Sequence, residues 1–106
     1  MSDMDRATCE FVDAILATEE YRAYAWERDK VKRHPELKAQ IDDYRRVNYE
    51  LQSSANIDFE KLDQFEKEYE VFRENPLVAD FLAAELGLCR LIQRLNAQIT
   101  ERLGFE

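Results

Sequence analysis

Apolar positions in this 106-residue chain recur at helical spacing almost from end to end. Phe11, Val12, Ile15 and Leu16 share one side of a first segment over about residues 3 to 17. Thr18, followed by Glu19 and Glu20, has the form of a cap with carboxylates in the first turn, where the helix dipole favours them. A second helix then runs to about Arg33 and carries Tyr21, Tyr24, Ala25 and Val31 on one side. Trp26 falls off that face. It either packs sideways on another helix, the commoner arrangement, or anchors a partner. His34-Pro35 opens the third helix, since proline suits a first helical position and restrains the residue before it. Leu37, Ile41, Tyr44, Asn48 and Leu51 form a short heptad seam there, with Asn48 either setting register or facing solvent. After the turn Asn56-Ile57-Asp58, a fourth helix is expected through Phe59, Leu62, Phe65, Tyr69 and Phe72, capped by Asp58.

Asn75-Pro76 repeats the cap-plus-proline device and starts a last helix that reaches about Leu103. Such a rod is roughly 40 Å long, longer than a compact globule of this size is wide. Leu77, Phe81, Ala84, Leu88, Leu91 and Leu95 make one seam; Leu82, Cys89, Ile92, Ile99 and Leu103 make a second beside it. Asp80, Arg90, Arg94 and Glu101 are left for water. Two seams exceed what one neighbouring helix hides. The expectation is therefore an all-α fold in a single domain spanning residues 1–106: an elongated bundle of four to five helices with a long C-terminal helix, completed by dimerisation. Leu77, Phe81, Leu88, Leu91, Ile92, Leu95 and Ile99 are the expected interface, centred on Leu88, Leu91 and Leu95. Leu91→Asp should give a monomer or an unfolded chain, because burying an unpaired carboxylate is costly.

Composition sharpens this picture. Two glycines and two prolines leave little for turns and strands, and 45% hydrophobic content with 36% charged residues is too apolar for disorder. The net charge of -8 disfavours direct nucleic-acid binding unless charges segregate. Arg28, Lys30, Lys32 and Arg33 form a short basic run interleaved with Glu27 and Asp29. Binding a nucleic acid would require that run to join Arg45 and Arg46. Residues 56–75 hold seven acids against three bases, half of the net charge. No stretch has the roughly 20 apolar residues that span a bilayer, and the opening "MSDMDRATCE" has no secretory pattern. A cytoplasmic protein with Cys9 and Cys89 as reduced thiols is expected.

Little in the chain points to catalysis. His34 stands at a helix boundary, Ser53 and Ser54 have no neighbouring histidine, and Gly87 and Gly104 cannot build a phosphate loop. No catalytic residue, cofactor or metal is expected. The competing reading is a thiol-based redox or iron–sulfur sensor using Cys9 and Cys89 across a dimer, since a cluster normally takes four thiolates.

The stretch "ATEEYRAYAWERDKVKRHPELKAQIDDYRRVNYELQ", followed by "ENPLVADFLAAELGLCRLIQRLNAQITERL", resembles the YlbF/YmcA family of small bacterial helical proteins. The resemblance rests on Glu20-Tyr21, Pro35-Glu36-Leu37, and Asn75-Pro76-Leu77-Val78 with Phe81, Leu82 and Glu85 following. It implies a self-associating helical adaptor without catalytic residues, working with related family proteins in a regulatory complex. Such complexes support competence, sporulation and biofilm programmes and modulate RNA processing by ribonuclease Y. Some carry iron–sulfur clusters through closely spaced cysteines near a carboxyl terminus; here no cysteine follows Cys89.

Overall fold

The computed structural model describes residues 2–53 and 55–105; Ser54 lies outside them. Among the described residues all regular structure is helical: α1 (Asp3–Leu16), α2 (Glu19–Lys32), α3 (Pro35–Ser53), α4 (Phe59–Glu68), α5 (Glu70–Glu74) and α6 (Pro76–Leu103). The starts are set by side chains that accept the first orphan amides. The Thr18 hydroxyl accepts from the Tyr21 amide at 3.1 Å. Asp58 accepts from the Glu60 and Lys61 amides at 3.1 and 3.2 Å. Asn75 accepts from the Leu77 amide at 3.0 Å, with Pro76 in the first turn. Ser2 and Asp5 form a reciprocal capping box on α1. Gly104 ends α6 at φ 69°, the left-handed conformation that glycine adopts without steric cost.

One helix expected from the spacing is two. Tyr69, at φ -101° and ψ 7°, separates α4 from α5. Tertiary contacts hold this break. The Tyr69 hydroxyl donates to Asp43 Oδ2 on α3 at 3.1 Å, and its ring lies 5.3 Å from Tyr44 and 4.8 Å from Phe65. Arg73 bridges the junction, donating to the Glu66 carboxylate at 2.7 Å and to the Glu66 carbonyl at 3.0 Å. Local periodicity reads only the 3.6-residue repeat and cannot see a partner 26 residues away.

The core is small and lies at one end of α6. Val31, Ile41, Val78 and Phe81 are buried together, with Tyr24, Leu37, Phe72 and Leu82 packed around them. Phe65 is buried in a second cluster of rings, stacked on Tyr44 at 5.3 Å. The contact between α2 and α6 is the most extensive; α5 touches α6, α3 leans on α2, and α4 joins α3 to α5. On that seam the Glu27 carboxylate is shielded, with Oε2 3.0 Å from Lys30 Nζ in an ion contact that lacks hydrogen-bond geometry. Arg45 ties α3 to α6 through Glu85 at 2.6 Å and lies over the Phe81 ring.

A 14-residue α2 cannot cover a 28-residue α6; at 1.5 Å per residue it spans about half the rod. The result is an open shape of 48 × 37 × 22 Å with a radius of gyration of 17.4 Å, against about 13 Å for a compact chain of this length. The accessible surface is 8361 Å². A compact monomer of this mass exposes roughly 6,200 Å². The surplus is about 2,200 Å².

Candidate interaction surface

The two seams of α6 have different fates. Along the first, Phe81 and Leu91 are buried and Leu77, Ala84, Leu88 and Leu95 half-buried, covered by the chain itself. Phe81 and Leu91 are therefore core residues that a second copy would not touch directly in this conformation. This divides the expected interface, because sequence spacing ranks faces by apolarity and does not say which neighbour arrives first. The second seam is covered at Leu82, which packs on the core, and stays open from Cys89 onward. Cys89, Ile92, Ile99 and Leu103 are all exposed, Ile92 by 41% and Ile99 by 45%. Their spacing is filled by Asn96, which the apolar pattern had passed over. Cys89, Ile92, Asn96, Ile99 and Leu103 follow each other at three and four residues, the repeat of a coiled-coil seam with one polar position.

The second open face is on α1. None of its residues is buried; Phe11, Val12 and Leu16 remain 42–44% exposed and only Ile15 is half-covered. An amphipathic helix held by a capping box, with its apolar side facing water, lacks the packing that normally stabilises a helix of this length. Its periodicity was plain in the sequence. Its availability was not, because that depends on α1 packing on α2 and leaving its own stripe open.

Trp26 is 68% exposed on the outer side of α2, so the expectation of sideways burial does not hold. Helical geometry explains this: the α2 face that meets α6 carries Tyr24, Glu27 and Val31, and Trp26 points away from it. Lys30 Nζ sits 5.9 Å from its ring centroid. Asn48 is half-buried and accepts from Gln52 of its own helix at 3.0 Å, so it makes no register-setting bond between helices among the described residues.

The candidate chemistry is dispersed. Cys9 and Cys89 are exposed, unpaired thiols. His34 is exposed, its amide donating to the Val31 carbonyl at 2.9 Å, and it lines an open cleft of about 500 Å³ with Arg33, Pro35, Leu37, Asn75 and Leu77. No group of three or more His, Cys, Asp or Glu among the described residues is placed to hold a metal. Arg45 and Lys38 line a small cleft of about 120 Å³ together with Arg28 and Lys32 of the α2 basic run, but carboxylates hold both Arg45 and Arg46. Arg45 is held by Asp42 and Glu85, and Arg46 by Asp43 and Glu50. The bond from Lys38 draws Asp42 below the usual carboxylate range, and those from Arg46 and Tyr69 do the same for Asp43. Burial, then the bond to Asp43, raises the Tyr69 phenol. No described helix is long and apolar enough to cross a membrane.

Comparison with known proteins agrees with the sequence reading. The family described as "Control of competence regulator ComK, YlbF/YmcA" matches residues 5–104. A UPF0342 protein of Caldicellulosiruptor bescii is 22% identical over 104 residues, covering 92% of this chain and 85% of that protein. No solved structure matches the chain with significance. With the match running from the first turn of α1 to the glycine that ends α6, the chain belongs to the YlbF/YmcA family, which is linked to the regulation of competence.

Proposed function

We propose that this protein is a non-enzymatic, cytoplasmic adaptor that regulates by protein contact and works as a homodimer paired through α1 and the open seam of α6. The observation that carries the reading is the surplus surface. About 2,200 Å² beyond a compact monomer is more than the roughly 800 Å² that each partner contributes to a standard interface, and apolar faces on two helices account for part of it. The Cys89–Ile92–Asn96–Ile99–Leu103 seam suits a second identical helix, with Asn96 as the polar position that sets register at some cost in stability. Family membership supports the regulatory part. The finer reading places the chain with related family proteins in a complex affecting competence, sporulation, biofilm formation or ribonuclease Y-dependent RNA processing.

The test is complementation. A strain lacking the protein is supplied with either the wild-type chain or the Ile92→Asp/Ile99→Asp chain, and transcript profiles are compared. The reading expects the variant to accumulate as folded protein and fail to restore the profile. Full restoration would separate regulation from pairing.

A further inference from the structure

Charge is segregated in this acidic molecule. Residues 22–46 hold eight bases and five acids, a local excess of three positive charges inside a chain of net charge -8. At the centre of the outer face of α2 lies Trp26, the single tryptophan, 68% exposed. Arg22, Trp26, Lys30 and Arg33 succeed one another at four, four and three residues, which sets them along one stripe of the helix. Lys30 covers the Trp26 ring and contacts Glu27. Arg22 and Arg33 are exposed and make no ion pair or hydrogen bond through their guanidinium groups among the described residues. The other arginines of α2 and α3, Arg28, Arg45 and Arg46, are paired with carboxylates; Arg90, Arg94 and Arg102 of α6 are also exposed without an ion pair among the described residues, but no tryptophan stands among them. The stripe ends at Arg33 on the rim of the 500 Å³ cleft, where Leu37 and Leu77 provide apolar wall.

We propose that the Arg22–Trp26–Arg33 stripe and the cleft beyond it form a docking groove for an acidic segment of a partner protein. The segment's carboxylates would meet Arg22 and Arg33, one of its apolar side chains would cover Trp26, and another would enter the cleft. Three features favour this occupant. Unpaired guanidinium groups on an otherwise anionic surface steer an acidic chain and repel a basic one. Tryptophan and arginine are the residue types that most often anchor protein contacts. A nucleic acid would have to approach past the net negative charge of the rest of the molecule. The inference deepens the adaptor reading by naming a partner class. It uses a different face of α2 from the one packed on α6 and lies apart from the pairing seam.

Trp26 reports on its own surface. The purified full chain is titrated with a synthetic peptide of alternating Glu-Glu and Leu-Leu pairs, free of aromatic residues, while Trp26 emission is followed at low salt. The expected result is a saturable blue shift as the ring is covered. Arg22→Glu/Arg33→Glu should weaken binding about tenfold or more, with unchanged helical circular dichroism and unchanged mass by light scattering. That unchanged mass separates failure of the groove from failure of pairing. The proposal is overturned by an unresponsive Trp26, by an equal response to the Lys-for-Glu peptide, or by unweakened binding to the double variant. It is equally overturned if a single-stranded oligonucleotide binds as tightly, or if Trp26 emission shifts with protein concentration alone, which would make a second copy the occupant.

Discussion

Replacing Ile92 and Ile99 together with aspartate separates pairing from folding. Both residues keep 41% and 45% of their surface in water in the single chain, so neither substitution opens an enclosed cavity. Complete burial of an isoleucine is worth about 1.5–3 kcal/mol. Covering the portion still exposed is therefore worth roughly 1 kcal/mol per side chain. A twofold interface counts each residue twice, and the double substitution removes about 4 kcal/mol of burial before any penalty for the carboxylates. That corresponds to a roughly thousandfold rise in the dimer Kd. Sedimentation over a dilution series is the assay, with circular dichroism run in parallel. The variant should sediment as a monomer at concentrations where the wild type is paired, with helical signal retained. A variant that stays paired with the wild-type Kd would show that the open seam of α6 is not the contact.

Other substitutions probe the fold. Leu91→Asp, at a position 6% exposed, should unfold the chain instead of merely separating copies, because the carboxylate enters the packed seam; loss of the cooperative melt reads this out. Phe81→Ala should cost about 3–5 kcal/mol, since Phe81 joins the Tyr24 ring, at 5.8 Å, to the buried cluster, and chemical denaturation measures it. Asn75→Ala should cost about 1 kcal/mol by leaving the Leu77 amide uncapped at the start of α6, again by denaturant midpoint. The Asp43–Arg46–Tyr69 group gives a pH signature. The folded Asp43 carboxylate titrates below its ordinary value, so its contribution is present at neutral pH and disappears as pH falls through that depressed value. Stability curves of wild type and Asp43→Asn should therefore differ at neutral pH and converge in strong acid. The raised Tyr69 phenol contributes below its ordinary value and loses that contribution in strong alkali.

Helix starts were the most legible feature of the sequence, because each is written locally. Thr18, Asp58 and Asn75 cap the helices they were expected to cap, and Pro35 and Pro76 open two of them. The length of α6 was equally clear from its unbroken apolar spacing. Three things needed the third dimension. The break at Tyr69 depends on Asp43 and the ring cluster. The choice of which α6 seam is covered depends on α2 arriving at Phe81, so Phe81 and Leu91 were assigned to an interface that their own chain fills. The exposure of Trp26 depends on which side of α2 meets α6. Arg22 and Arg33 stood out only once the remaining arginines of α2 and α3 had been matched to carboxylates.

One copy of this chain leaves apolar surface open on α1 and α6, and the proposed pairing would cover it with a second copy. The most direct measurement is the mass of the wild-type protein by light scattering across a micromolar dilution series. Pairing gives twice the 12.6 kDa chain mass, falling toward one chain only on strong dilution. A particle of 12.6 kDa at every concentration, with α1 and α6 fully helical, would contradict it.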